Sequence, residues 1–178
     1  MNESRILAVD PGRTILGAAV FEGASLRYYG VKCLRVPGTP EEVRRAAARV
    51  LANLIAAYRP TRVVIEQPLV VQQRAELLAH AIGAIKTTAR KHGLGVIEYA
   101  PLAVRRFICQ SSRPTKGEVA RRLAELYPEL GRYTALPGRW AEAYYERMFG
   151  AVAVGLLAQG ARERKPDGTI DGDLNKVA

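Results

Sequence analysis

The sequence has little cysteine, no cluster of histidines and no long apolar run. Its two cysteines, Cys33 and Cys109, lie far apart and form no Cys-x-x-Cys pair, which argues against a zinc site and favours a reduced compartment. The longest apolar run, residues 148–158, is far too short to span a bilayer. The first residues also lack the basic and apolar segments of a secretory leader. We therefore expect a cytoplasmic protein with no membrane partner.

Acidic residues are the minority among the charged side chains. The 178-residue chain has 27 Lys and Arg against 17 Asp and Glu, a net charge of +10. This balance favours a polyanionic partner, while a basic, Arg-rich surface without a specific ligand is the alternative. The length suits a single domain. We expect it to cover residues 1–161, with a flexible tail over residues 162–178, which show no hydrophobic periodicity.

Five short segments have the pattern of β-strands. Residues 5–10 and 61–66 are apolar runs that each end in a carboxylate, at Asp10 and Glu66. Two further strands, residues 16–21 and 25–36, follow the first run and form an antiparallel meander with it. The last predicted strand is residues 95–99.

Helical spacing of apolar residues predicts helices between and after these strands, over residues 40–58, 73–91, 101–107, 115–126 and 140–161. Thr115 and Glu118 form a capping-box pattern at the start of one of them. Small residues over 150–155 allow the last helix to pack closely on a sheet. Antiparallel strands followed by alternating helices and strands predict an α/β fold with a mixed sheet flanked by helices.

The carboxylates at the ends of two apolar strands are the first candidate site. If the strands are parallel neighbours, Asp10 and Glu66 come together, and at about 5 Å they repel by roughly 3 kcal/mol at an effective dielectric near 20. A divalent cation would reverse this cost, and oxygen ligands favour Mg²⁺ or Mn²⁺. Taken singly, Asp10 is equally well a turn-forming residue before Pro11-Gly12, and Glu66 a solvated strand end.

The last predicted helix offers two more carboxylates. Glu142 and Glu146 are four residues apart and share one helix face, so both could point at the same site. With Asp10 and Glu66 they would supply the ligands for two metal ions. A solvated helix face is the alternative reading of this pair.

Several motifs together resemble the RuvC family of Holliday-junction resolvases. They are ILAVDPG at 6–12, LGAAV at 16–20, VVIEQ at 63–67 and the continuous stretch 98–119. The resemblance implies a ribonuclease-H-like fold and a metal-dependent, structure-selective endodeoxyribonuclease. Such an enzyme resolves four-way DNA junctions by paired phosphodiester hydrolysis, leaves 5′ phosphates and uses two Mg²⁺ ions per site, which Mn²⁺ can replace.

The resemblance also implies roles for individual residues. Arg105, where the family usually has lysine, and Lys116 match the basic residues that act at the scissile phosphate. Leu69 matches an apolar side chain that enters the junction, and ordinary packing is its alternative. The family has an aspartate pair, or a histidine and an aspartate, three apart before a run of small apolar residues, whereas Glu142 and Glu146 are four apart. Glu146 is nearer that run and is the first choice as ligand.

Further basic residues could contact the phosphates of the DNA arms: Arg13, Arg74, Lys86, Arg90, Lys91, Arg106 and Arg113. Symmetric cutting implies a homodimer, with the helix over residues 73–91 as its interface; packing of its Leu77, Leu78 and Ile85 in the internal core is the alternative. The resemblance also allows a branch-migration helicase as partner. Two alternatives stay open: a YqgF-like RNA nuclease of the same fold, and a module that binds branched nucleic acid without cutting it.

Overall fold

A computed structural model describes residues 4–34, 38–67, 75–134 and 139–163 of the chain. Its strands are β1 (Arg5–Pro11), β2 (Ile15–Glu22), β3 (Ser25–Cys33), β4 (Arg62–Glu66) and β5 (Gly95–Tyr99). Its α-helices are α1 (Pro40–Tyr58), α2 (Ala75–Lys91), α3 (Pro101–Cys109), α4 (Lys116–Leu126), α5 (Gly131–Thr134) and α6 (Arg139–Glu163), with a 3-10 turn at Pro128–Leu130.

The strands of the described ranges form one mixed sheet in the order β3-β2-β1-β4-β5. The β1–β2 and β2–β3 pairs are antiparallel, whereas β4 runs parallel to both β1 and β5. The predicted α/β fold, with an antiparallel meander followed by parallel strands, is therefore confirmed. Because β1 and β4 are parallel neighbours, their carboxyl ends meet at one edge of the sheet.

Helices cover both faces of this sheet. On β1, Leu7 and Val9 pack against the layer of α1 and α2, whereas Ile6 and Ala8 pack against the layer that contains α3, α4 and α6. Neither face of the central strands meets water, so their sequences are almost continuously apolar instead of alternating. Within the described ranges, no helix combines the length and apolar character needed to cross a bilayer.

Most predicted helix boundaries agree with the structure. Thr39 and Thr115 each close a capping box at the start of a helix, the first of α1 and the second of α4. The short helical segments over 128–134 are absent from the prediction because they are too short to show a period. The division into a domain and a tail stays a prediction, since residues 164–178 lie outside the described ranges.

Helix α6 lies directly on the sheet because glycines remove side chains at the points of contact. A Cβ at Gly17 of β2 would overlap the backbone of Arg147, and a Cβ at Gly155 of α6 would overlap the Phe21 ring. The close packing predicted for the small-residue run of α6 is therefore present. It sets the depth at which α6 meets the end of β1.

Replacement of Gly17 by alanine should destabilise the protein, since the added methyl would force the α6 backbone away from β2. We expect a loss of about 1–3 kcal/mol in the free energy of unfolding, measured by urea denaturation. Gly83 is the matched control, because it is exposed on α2 with nothing near its Cβ position. Gly83→Ala should be neutral or stabilising by up to about 1 kcal/mol. Equal stability of the two variants would contradict this packing.

Candidate active site

Asp10 and Glu66 lie in one cleft of about 600 Å³ at the carboxyl edge of the sheet. Asp10 is the last but one residue of β1, and Glu66 is the last residue of β4. The parallel register pairs Val9 with Ile65, so Asp10 and Glu66, the next residue on each strand, lie side by side. The structure therefore brings the two carboxylates together, as the sequence predicts.

Both carboxyl groups are held in surroundings that oppose their ionisation. Burial raises the pKa of Asp10 above its ordinary value, although the Arg147 guanidinium beside it acts in the opposite direction. Burial also raises the pKa of Glu66, and the negative charge of Asp10 raises it further. The nearby cations offset only part of this cost. The pair is therefore short of positive charge.

Arg147 of α6 is a direct partner of Asp10 that the sequence analysis missed. Its Nη1 donates a hydrogen bond to Asp10 Oδ1 at 2.8 Å. The Asp10 side chain is only 6% exposed and that of Arg147 is 30% exposed, so the ion pair is largely shielded from water. Such charge-assisted contacts are among the stronger hydrogen bonds in proteins.

Gly150, one helical turn after Arg147, is the second contact of α6 with Asp10. A Cβ at this position would overlap the Asp10 carboxylate. Residues 147 and 150 are three apart and share one helix face, and this is the spacing that the family resemblance gives for its aspartate pair, or histidine and aspartate. The three-residue spacing was present in the sequence, but Arg147 and Gly150 were missed because only acidic residues were considered as ligands.

Glu146 also lines the cleft, where it pairs with Lys116. Lys116 Nζ lies 2.5 Å from Glu146 Oε1, and the two side chains are 62% and 34% exposed. A pair this open to water is weak, so Lys116 can turn to a phosphate at little cost. Lys116 is also the first residue of α4, where the helix dipole disfavours a cation. The position of Lys116 is therefore unfavourable for the stability of α4 but favourable for binding an anionic ligand.

The remaining residues proposed for chemistry are Arg105 and Glu142. Arg105 of α3 lines the cleft, and its positive charge acts to lower the pKa of Glu66. Glu142 belongs to α6, but its side chain is outside the described part of the structure. Arg121 of α4 lines the same cleft and was not singled out from the sequence.

The described residues predicted to contact DNA arms lie on α2, on α3 and in loops. Lys86 pairs with Glu98 at 2.5 Å, on the side of the sheet that faces α2. Arg106 Nε donates to the Ser112 carbonyl at 3.3 Å. None of the described residues Arg13, Lys86, Arg90, Lys91, Arg106 and Arg113 lines the cleft. Leu69 and Arg74 lie outside the described ranges.

The chemistry of Asp10 and Glu66 fits a divalent cation. Their oxygens are hard ligands, and the raised pKa of each carboxyl marks a need for positive charge. Among the described side chains, however, no group of three or more His, Cys, Asp and Glu could hold a metal ion. The strand carboxylates supply two ligands, and at the contact of α6 with Asp10 there is a cation and a glycine instead of further acids.

Comparison with known proteins identifies the relatives of this chain. The family described as "Crossover junction endodeoxyribonuclease RuvC" matches residues 6–128. The RuvC of Halorhodospira halophila is 37% identical over 122 residues, which are 65% of this chain and 72% of that protein. The RuvC of Alkalilimnicola ehrlichii is 35% identical over 120 residues, 65% and 73% of the two chains. The family match includes Asp10, Glu66, Arg105 and Lys116 and ends before α6.

Solved structures show the same architecture. T. thermophilus RuvC in complex with Holliday junction substrate superposes with a TM-score of 0.64 at 25% identity, covering 88% of this chain and 97% of that one. A yeast mitochondrial Holliday junction resolvase gives a TM-score of 0.65 at 8% identity, over 85% and 76% of the two chains, which shows the ribonuclease-H-like fold alone. The chain belongs to the RuvC family of crossover junction endodeoxyribonucleases, as its motifs predict.

Proposed function

We propose that this chain is a metal-dependent, structure-selective endonuclease that resolves four-way DNA junctions. It would hydrolyse one phosphodiester bond in each of two strands and leave 5′ phosphates. The observation that carries the proposal is the pair of buried carboxylates, Asp10 and Glu66, in a cleft that Arg105 and Lys116 also line. The names of the relatives and the junction-bound T. thermophilus RuvC support this choice of substrate.

The residues of the cleft have distinct roles in this proposal. Asp10 and Glu66 hold Mg²⁺, for which Mn²⁺ can substitute. When bound, the ion polarises a phosphate oxygen and lowers the pKa of the attacking water. Lys116 and Arg105 donate to the phosphate and stabilise the charge that develops on it. A second ion, expected from the resemblance, needs further ligands from α6, for which Glu142 and Glu146 are the candidates.

The assembly around the cleft is also a proposal. Paired cuts require two clefts related by a two-fold axis, so we propose a homodimer with α2 at its interface. Light scattering of the purified chain tests this, and a monomer at working concentration would contradict it. A branch-migration helicase as partner and a cytoplasmic location complete the proposal.

A module that binds junctions without cutting them is a second candidate. One observation favours it: Asp10 already has a cationic partner in Arg147. Incubation of labelled four-way junction, linear duplex and RNA–DNA hybrid with the protein and Mg²⁺ separates the candidates. Junction cleavage supports the endonuclease, cleavage of the hybrid alone supports an RNA nuclease, and binding without cleavage supports the module.

Asp10→Asn should abolish Mg²⁺-dependent junction cleavage, because the amide removes the charge that holds the ion. We expect a loss of about a hundredfold or more in rate, measured with labelled junction in single-turnover assays. Junction binding in EDTA, measured by gel shift, should persist. Glu129→Gln, which neutralises an exposed carboxylate outside the cleft, is the control and should cut normally. Full activity of Asp10→Asn would refute the assignment.

Glu66→Gln should stabilise the metal-free protein, and the gain should grow with pH. The pKa of Glu66 is higher in the folded than in the unfolded chain, so the wild type loses stability as pH rises through the interval between those two values. Glutamine has no proton to lose and escapes this penalty. Thermal unfolding in EDTA at about pH 4.5 and about pH 8 measures the difference. A gain that is equal at both pH values would contradict the raised pKa.

Junction binding should weaken steeply with salt. About six neutralised phosphates would lower the affinity on the order of a thousandfold between about 50 and about 200 mM salt. Fluorescence anisotropy with a labelled junction in EDTA gives the slope. A flat profile would exclude phosphate contacts as the main source of affinity.

A further inference from the structure

The position of Arg147 is fixed by backbone packing and not by the ion pair alone. Its carbonyl group and the backbone nitrogen of Met148 lie against Gly17 of β2, where a Cβ has no room. Its Nε lies 3.2 Å from the place that a Cβ of Gly12 would take. Gly150 brings the next turn of the helix onto the Asp10 carboxylate. Glycines on three sides therefore make the space in which Arg147 reaches Asp10.

The guanidinium supplies less charge than the site needs. Two carboxylates share the cleft floor, whereas Arg147 carries one positive charge and donates to Asp10 Oδ1. Among the described residues no side chain forms a hydrogen bond or ion pair with the Glu66 carboxylate, and Arg147 acts on it through longer-range attraction. A divalent cation bound to the same Asp10 would stand within a few ångströms of the guanidinium and be repelled by it.

We infer that Arg147 occupies the position at Asp10 that a divalent cation would take, and thereby weakens the affinity of the cleft for metal. This inference rests on the metal site of the proposed function. Arg147 would therefore control metal binding. The metal binds when the guanidinium leaves Asp10, and the guanidinium neutralises Asp10 when metal is absent.

The test is a calorimetric titration of the full chain with Mn²⁺ in the absence of DNA. Arg147→Gln should bind Mn²⁺ about tenfold more tightly than the wild type or better, which corresponds to about 1.4 kcal/mol. Arg147→Lys keeps the charge and should stay close to the wild type. Arg121→Gln is the matched control, since Arg121 is an exposed cation of the same cleft for which no contact with Asp10 is found among the described residues.

Unchanged affinity in Arg147→Gln would overturn the inference, and so would an equal gain in Arg121→Gln, which would indicate a general charge effect. If Arg147→Gln is unfolded without metal, circular dichroism replaces calorimetry. Recovery of the native spectrum with Mn²⁺, but not with NaCl of the same ionic strength, supports the inference, and failure to recover overturns it.

The outcome can be separated from that of the proposed function. Binding of Mn²⁺ by Arg147→Gln but not by the wild type supports the inference, and the Mg²⁺-dependent junction-cleavage assay of the natural chain then decides the proposed function separately. Binding by both with equal affinity overturns the inference and leaves the cleavage experiment with Asp10→Asn to decide the activity.

Discussion

The contact between Asp10 and Arg147 is the interaction on which the arrangement of the cleft depends. A carboxylate that is almost fully buried is costly without a positive partner. The fold meets this need by bringing α6 onto the end of β1, with Gly17 and Gly150 at the crossing. The same crossing carries much of the core on that side of the sheet. The same contact between α6 and β1 therefore determines both the charge balance of the cleft and the packing of the core.

The fold and the strand carboxylates were predictable because they depend on local patterns. Apolar runs that stop at Asp10 and Glu66 define both the strands and the edge at which they end, and the Thr115 capping box marks the start of α4 correctly. The parallel β1–β4 pair was a condition of the prediction, and the structure confirms it. Given that pairing, the position of each carboxylate at its strand end brings Asp10 and Glu66 together.

The contribution of α6 was not predictable in the same way. Which residues of a helix face a site depends on how the helix rotates and how deeply it packs, and here glycines of β2 and of α6 itself set the closeness of the contact. The sequence search chose acids, Glu142 and Glu146, because chemistry suggested them. The structure places Arg147 and Gly150 against Asp10 and gives Glu146 to Lys116. The steric fit between α6 and the sheet decided the outcome.

The two helical layers differ in how they relate to the cleft. The layer of α1 and α2 has its own core and touches the strands from the side opposite α6. None of the described residues of α1 and α2 lines the cleft, so this layer can accept changes for assembly without altering the chemistry. Helix α6 has no such freedom, since one segment both completes a core and sets the charge beside Asp10. In this protein, a substitution in α6 that changes the reaction therefore also changes the packing that maintains the fold.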